Sequence, residues 1–285
     1  MTRALRVIAP GPLTTVQDGG RPGWAHLGVP PSGWLYPDAA TLANRLVGND
    51  EHAAVLECLL GGVTLEATAA VSLAVTGGHC PVRVGARAAP HGAAVAVPAG
   101  ATVSLGRVTS GLRCWVAVAG GIVVDPVLGS RATDTLSGLG PHVLRAGTSL
   151  PLGAATGTPS VGHAVPPAAR GPAVLRCTPG PRAGWFTAEA ARTLAGATYA
   201  VHPDSDRVGL RLTGPPLERL VTDELPSEGI VLGAVQVPAA GRPVVFLRDH
   251  PTTGGYPVIA VVHPDDLGRC AQLRPGDAVR FAPTA

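Results

Sequence analysis

Short apolar runs rich in valine, separated by glycine, proline and small polar residues, recur along the chain: Val63 to Leu65, Val71 to Val75, Ala93 to Val97, Cys114 to Ala119, Val231 to Val237, Val244 to Leu247 and Val258 to Val262. Runs of this length bounded by turn residues predict buried strands. Helical stretches are few. Pro37 to Leu46 follows Tyr36, Thr187 to Leu194 can be capped by Thr187, and Pro264 to Cys270 predicts a turn of helix. The pattern predicts a mainly β protein with a few short helices.

Two polar, glycine-rich blocks interrupt this pattern. One runs from Ser227-Glu228-Gly229 through Gln236 to Asp249-His250-Pro251-Thr252-Thr253-Gly254-Gly255-Tyr256-Pro257. The other, Thr14-Thr15-Val16-Gln17-Asp18-Gly19-Gly20-Arg21-Pro22-Gly23, leads to Gly28-Val29-Pro30-Pro31-Ser32-Gly33. Consecutive glycines let the backbone approach a ligand closely, and neighbouring threonine hydroxyls and amides can hold an oxygen-rich group. Thr-Thr-Gly-Gly alone reads first as a hairpin turn; a second block of the same kind shifts the reading toward a built site on two lobes.

The lobes align in order. Arg21-Pro22-Gly23 corresponds to Arg207-Val208-Gly209, Glu57 to Glu228, Thr76-Gly77-Gly78 to Thr253-Gly254-Gly255, and the strand from Gly100 to Leu105 to that from Gly276 to Phe281. The first lobe has extra residues between its Arg and its Glu, and these include the helix from Pro37. The organisation expected is an N-terminal lobe with a helical insertion over residues 1–155, then a linker and C-terminal lobe over 156–285, the linker being the Gly-, Ala- and Pro-rich stretch from Gly153 to Pro172.

Composition narrows the function. The 285 residues, 46% of them hydrophobic, are enough for two domains with real cores, and Gly 38 with Pro 29 fits many short strands and turns. The chain has no lysine, so its 22 basic residues are all arginine. That excludes a lysine-containing phosphate loop, Schiff-base chemistry, and covalent biotin or lipoate on this chain. A net charge of +3 with dispersed arginines gives no indication of nucleic-acid binding. The 5 cysteines, Cys58, Cys80, Cys114, Cys177 and Cys270, lack a Cys-x-x-Cys pair and read as small buried residues in a reducing compartment; Cys58 beside Glu57 is flanked by Leu56, Leu59 and Leu60 and reads as a core thiol. The longest apolar stretch, Cys114 to Val124, is too short and glycine-interrupted for a membrane span, and with no secretory leader pattern a cytoplasmic location is expected. The 9 histidines form no metal-binding grouping, so no metal site is expected, and His250 reads as a hydrogen-bonding residue. A Gly-x-Ser-x-Gly nucleophile elbow is absent from the sequence.

The pattern Thr15-Val16-Gln17-Asp18-x-Gly20-Arg21-x-Gly23, followed by Gly28-Val29-Pro30-x-Ser32-Gly33 and Ala43-Asn44-x-Leu46-Val47-Gly48-Asn49, closely resembles the start of the KipA family. These are the allophanate hydrolase subunit 2-like proteins, typified by the C-type subunit of 5-oxoprolinase and the carboxyltransferase domain of urea carboxylase. Further matches are Glu57, Thr76-Gly77, Val118 to Ile122, Leu128-Gly129-Ser130-Arg131-x-Thr133-Asp134, Pro179-Gly180-Pro181-Arg182 and the late blocks from Ser227 to Pro257, in order across nearly the whole chain. The resemblance implies two tandem cyclophilin-like β-barrel lobes. It implies two partners, the KipI-like B-type subunit and the A-type subunit of 5-oxoprolinase. It also implies ATP-dependent opening of 5-oxo-L-proline to L-glutamate, with ATP and Mg²⁺ held in the complex.

For that chemistry, Arg21 and Arg207 are expected to stabilise phosphoryl charge, and Asp249 or Glu228 to orient substrate or hold Mg²⁺. Thr252, Thr253, Gly254 and Gly255 are expected to bind a carboxylate or phosphate. Gln17, Asp18, Ser32, Asn44, Gln236 and Tyr256 complete the substrate-binding set, while Glu57 reads as the structural partner of an arginine. The chain departs from the family at Trp34, Leu35 and Tyr36, where a small residue, Met and Asp usually follow Ser-Gly, and at Pro251, where Gln often precedes the two threonines. Other readings of the same scaffold are a biotin-dependent carboxyltransferase or a component of the urea amidolyase type, and a non-catalytic regulatory partner of a KipI-like protein.

Overall fold

The computed structural model describes residues 3–160, 162 and 171–284. The chain forms two compact units: one from Met1–Arg21, Tyr36–Asp134 and Gly138–Ala169, the other from Pro22–Leu35, Thr135–Ser137 and Arg170–Ala285. The later part of the expected linker, residues 161 and 163–170, lies outside the described residues.

The first unit contains β1 (Ala4–Pro10), β2 (Leu13–Gln17), α1 (Pro37–Leu46), β3 (Val55–Leu59), β4 (Val63–Ala67), β5 (Val71–His79), β6 (Val82–Val84), β7 (Arg87–Ala89), β8 (Ala94–Val97), β9 (Thr102–Leu105), β10 (Ser110–Val118) and β11 (Ser149–Pro151). They make a 6-stranded sheet, β11-β1-β4-β9-β6-β7, and a 5-stranded sheet, β2-β3-β10-β5-β8. Leu5, Val7, Val16, Leu56, Cys58, Leu65, Val75, Val103, Cys114 and Val116 belong to one buried core cluster drawn from both sheets. α1 packs on β5 and β10. Thr76 Oγ1 donates to Ala39 O of that helix at 2.6 Å. The sheet is thus covered on both faces where these strands lie, so β3 and β10 read as nearly continuous apolar runs without an alternating period.

The second unit contains β12 (Ala173–Pro179), α2 (Ala188–Gly196), β13 (Tyr199–Val201), β14 (Gly209–Thr213), β15 (Glu228–Gly229), β16 (Ala234–Gln236), β17 (Val244–Phe246), β18 (Thr253–Gly254), β19 (Val258–Val262), α3 (Pro264–Cys270) and β20 (Ala278–Pro283). Seven of the strands close a barrel in the order β12-β19-β16-β17-β14-β13-β20, sealed by parallel pairing of β12 with β20. β15 and β18 form a separate 2-stranded ribbon.

The three α-helices among the described residues fall where the sequence places them. Thr187 caps α2 by accepting from Ala190 N at 3.1 Å. The strand expected from Val231 is shorter than its apolar run, because a turn ending at Gly233, with φ +84°, precedes β16 and leaves Val231 exposed. The blocks that align between lobes are built differently. In the first unit Glu57 and Thr76 flank Trp115 in register across β3, β10 and β5, whereas Glu228 pairs directly with Gly254. Among the described residues no helix is long and apolar enough to cross a membrane.

Gly77 shows what holds the first unit's outer sheet face. Its φ is +82°, and a Cβ there would sit 2.5 Å from Cε3 of the buried Trp115 ring. Gly85 also has positive φ, at +55°, but open space around it. Gly85→Ala should therefore cost about 1 kcal/mol from backbone strain alone, and Gly77→Ala about 1–3 kcal/mol beyond that from overpacking. Urea unfolding of both variants checks the difference; equal losses would contradict the ring contact.

Candidate functional site in the second unit

Two clusters in the second unit gather residues from the late block. The first is built by the β14–β17 ladder. Past the paired residues Gly209 and Phe246, Leu247 N donates to Val208 O and Asp249 N to Arg207 O, which brings the two charged side chains together. Arg207 donates through Nε to Asp249 Oδ2 at 2.9 Å and through Nη2 to Asp249 Oδ1 at 3.0 Å. Its Nη2 also donates to Gly33 O at 2.7 Å. Thr135 adds its backbone N at 2.9 Å and Oγ1 at 2.7 Å to Asp249 Oδ2. Side-chain exposure is 1% for Arg207 and 0% for Asp249, so the pair is wholly removed from solvent. Burial pushes the Asp249 carboxyl up, but the Arg207 charge and the donors from Arg207 and Thr135 together outweigh it and hold the group below the usual carboxylate range.

The same knot holds Ser32, whose N donates to Arg248 O at 3.1 Å. Ser32 is buried, takes φ +50°, and its Oγ has no hydrogen-bond partner among the described residues. A strained backbone with an orphaned hydroxyl marks a position held by its surroundings rather than by local preference. Trp34 and Leu35, two departures from the family pattern, are buried beside it in sequence. Tyr36, the third, stands at the N-cap of α1 without a side-chain cap bond and packs edge-on against Trp115 at 5.9 Å.

The second cluster surrounds the β15–β18 ribbon. Glu228 lies opposite Gly254, and Gly229 opposite Thr253. Gln236, on the adjacent barrel strand β16, donates through Nε2 to Tyr256 O at 3.0 Å. A Cβ at Gly254 would meet Gln236 Nε2 at 2.8 Å and would also strike Ile230, so this position has no room for a larger residue. Arg182, in the turn after β12, donates through Nε at 3.1 Å and Nη2 at 2.8 Å to Glu228 Oε2, and its guanidinium lies over the Trp185 ring, 5.4 Å from the centroid. Arg219 lies over the Tyr256 ring at 5.7 Å. Thr253, Gly255 and Tyr256 are exposed or nearly so, and Thr252 is half-buried. The exposed Thr253 and Gly255 thus stand in one cluster with two arginines stacked on aromatic rings, an arrangement suited to an oxygen-rich ligand.

Sequence alone does not single out Arg182, Trp185 and Arg219 as site residues. The available signal is an arginine three residues before a tryptophan in a proline- and glycine-rich turn, a spacing that brings the two side chains together once the turn closes.

The remaining sequence candidates lie in the first unit and are bonded there. Asp18 accepts from Ser130 Oγ at 2.5 Å, Arg131 N at 2.6 Å and Gly20 N at 2.9 Å. Arg21, 1% exposed, donates to Val127 O and Ala132 O. Gln17 donates to Thr15 Oγ1 and Thr133 O, and Asn44 to Glu51 O and Ala53 O. Glu57 is the structural partner expected, with Arg113 Nε 3.7 Å from its Oε1. In the second unit His250 is buried, its Nδ1 2.7 Å from Pro251 O. All five cysteines are free and buried; burial pushes Cys177 up to about 11 and Cys270 up to about 12, which makes both poor nucleophiles.

Magnesium does not fit Asp249, whose two oxygens are both taken up by Arg207. Both oxygens of Asp249 and one oxygen of Glu228 are committed to arginine, and among the described residues no group of three or more His, Cys, Asp and Glu side chains is placed to hold a metal ion.

Removing one member of a buried ion pair strands the other charge, so Asp249→Asn should cost about 3–5 kcal/mol at neutral pH. The carboxyl titrates lower in the folded than in the unfolded chain. The stability it contributes is therefore complete above the unfolded value of about 3.9 and is lost as pH falls through the folded value. Urea unfolding of the wild type and the variant from pH 7 downward should show a gap that narrows as the medium becomes acidic; a constant gap would contradict the ion-pair assignment.

Residues 27–283 match the family described as carboxyltransferase domain, subdomain A and B. The chain is 37% identical over 280 residues to the C-type subunit of 5-oxoprolinase from Escherichia coli (strain K12), covering 97% of this chain and 90% of that protein. It is 31% identical to urea amidolyase of Saccharomyces cerevisiae, covering 98% of this chain but 16% of that protein. The crystal structure of Kluyveromyces lactis urea amidolyase superposes with a TM-score of 0.92 at 30% identity, over 100% of this chain and 19% of that one. The mainly β fold with its closed barrel is thus shared with carboxyltransferase domain proteins, and the chain belongs to the carboxyltransferase domain, subdomain A and B, family.

Proposed function

We propose that the chain is the C-type subunit of an ATP-dependent 5-oxoprolinase, opening 5-oxo-L-proline to L-glutamate in the cytoplasm together with a KipI-like B-type subunit and an A-type subunit. The observation that carries this reading is the end-to-end correspondence with the Escherichia coli C-type subunit, which uses 97% of this chain and 90% of that one.

Lactam resonance resists attack by water. Converting the lactam carbonyl oxygen to a phosphate ester supplies a better leaving group, and a subunit serving that activation must bind the substrate's carboxylate and amide while excluding water. The hydroxyls and amides of the ribbon, from Thr252 to Gly255, are the groups suited to the carboxylate, and Glu228 with Gln236 lies beside them. Arg21 and Arg207 serve by holding loops in place, their donors being engaged with backbone carbonyls and, for Arg207, with Asp249. ATP and Mg²⁺ belong to the assembled complex, and a lysine-containing phosphate loop for the nucleotide would have to come from a partner protein, because this chain has no lysine.

The family match and the likeness to urea amidolyase support a second reading, biotin-dependent carboxyl transfer, in which the biotinylated lysine comes from another chain. Phosphate release from ATP by the complex of all three proteins separates the readings. Stimulation by 5-oxoproline that disappears when this chain is omitted is the expected result. Turnover that instead requires urea and an added biotinylated carrier would favour carboxyl transfer, and a stable complex without stimulation by either would favour a regulatory role.

A further inference from the structure

Strand β8, the outermost of the 5-stranded sheet, has one edge paired and one free. Among the described residues β5 alone pairs with it, setting Val71 opposite Val97, Ser72 opposite Ala96, Leu73 opposite Val95 and Ala74 opposite Ala94 without a bulge. Ser72 O accepts from Ala119 N at 2.8 Å, so Ser72 turns its backbone groups toward β10, while Val71 and Leu73 turn theirs toward β8. Val75 O, two residues on, accepts from Gly92 N at 2.8 Å, in keeping with that alternation. The ladder therefore uses the backbone groups of Val95 and Val97 and points those of Ala94 and Ala96 away from the sheet. Ala96 is exposed, and no residue of the strand is charged. An edge that is unpaired, unbulged and uncharged is a template for another strand.

A cavity of about 510 Å³ lies at the end of the sheet where β5 begins and β8 ends, and Ala96 belongs to both the cavity and the free edge. Val71 and Val97 line it from the sheet, and Ala155 and Pro159 from the segment after β11. That segment is fastened in place: Ser160 N donates to Leu46 O at 2.8 Å, and a Cβ on Gly157 would overlap Gly48 O. The lining is apolar except for Ser72 and Arg3. Arg3 donates through Nη1 to Gly153 O and through Nη2 to Ala119 O, the latter at 2.6 Å, and among the described residues these carbonyls are its partners. Two carbonyl oxygens occupy part of the five-donor guanidinium and leave its charge without a counter-charge.

We propose that this edge and cavity receive an extended segment of another protein, which adds to β8 as a strand and places an apolar side chain and a carboxylate in the cavity. Each group present selects one property of that segment. The outward amide and carbonyl of Ala96 require an extended backbone, the wall of Val71 and Val97 an apolar side chain, and Arg3 an anion. A second copy of this chain pairing through the same edge would leave Arg3 unanswered, because β8 carries no carboxylate. The site lies within the first unit, and the inference does not rest on the 5-oxoprolinase reading.

The test selects from a library of random heptapeptides on the immobilised full chain, then measures each enriched peptide by fluorescence anisotropy beside a counterpart whose carboxylate is replaced by an amide. Enriched sequences should combine apolar residues at alternate positions with one Asp, Glu or free C terminus. The wild type should prefer the acid over the amide by about tenfold, the scale of a hydrogen bond to a charged group. Arg3→Met should bring that ratio close to one and Arg3→Lys restore part of it, a change of selectivity that loosening of the 153–160 segment alone would not produce. Ala96→Pro removes an outward N–H that β5 does not use, so it should weaken acid and amide alike, by about tenfold, with the urea midpoint kept. Absence of enrichment on the wild type, or binding that neither Arg3→Met nor Ala96→Pro alters, overturns the inference. Dimerisation of the wild type in sedimentation that Ala96→Pro abolishes also overturns it, since the edge would then belong to a second copy.

Discussion

A buried charge must be surrounded by hydrogen-bonding partners or it unfolds the structure around it. In the second unit that requirement falls on Arg207 and Asp249. They satisfy each other through two hydrogen bonds, but the guanidinium and carboxylate need more than that, and the extra groups come from distant parts of the sequence: Gly33 O for Arg207, and the Thr135 amide and hydroxyl for Asp249. This accounts for the chain path. Residues 22–35 and 135–137 belong to the second unit although their sequence neighbours belong to the first, and they are the segments that complete this pair. The strain at Ser32 follows from the same cause, since its backbone is held by Arg248 O on one side while the next carbonyl is held by Arg207.

The first unit meets the same requirement with other means. Asp18 accepts from a serine hydroxyl and two backbone amides, and Arg21 donates to backbone carbonyls of the 127–132 segment, so each charge gathers loop groups. The sequence correspondence between Arg21 and Arg207 thus has a physical counterpart: in each unit a buried arginine following a turn gathers loop carbonyls. The correspondence between Glu57 and Glu228 ends at having an arginine partner. Glu57 is enclosed in a sheet covered by α1, whereas Glu228 lies on a two-stranded ribbon with part of its side chain reachable by solvent.

Much of the fold is legible in the sequence because it rests on local signals. Valine-rich runs between glycines mark the strands, and Thr187 marks the start of α2 by the bond its hydroxyl makes. What local signals cannot carry is the use of a polar side chain. Gln17, Asp18, Arg21 and Asn44 stand in a glycine-rich, polar context, as Thr252 and Thr253 do, yet the first group is spent on backbone carbonyls and amides and the second reaches solvent. The difference lies in partners more than a hundred residues away for Gln17, Asp18 and Arg21, and no spacing rule reaches that far. Arg182 illustrates the converse. Its neighbours read as a turn, and its importance becomes visible only when Glu228, 46 residues later, is seen to accept from its Nε and Nη2.

The buried pair of Arg207 and Asp249 is what holds residues 22–35 and 135–137 in the second unit. Backbone amide hydrogen exchange of the wild type and of Asp249→Asn at neutral pH examines that role directly. The expected result is that the amides of Ser32 and Thr135, which donate to Arg248 O and Asp249 Oδ2, lose protection in the variant while those of the first unit's strands β3 and β10 keep theirs. Equal protection of Ser32 and Thr135 in the two proteins would contradict it.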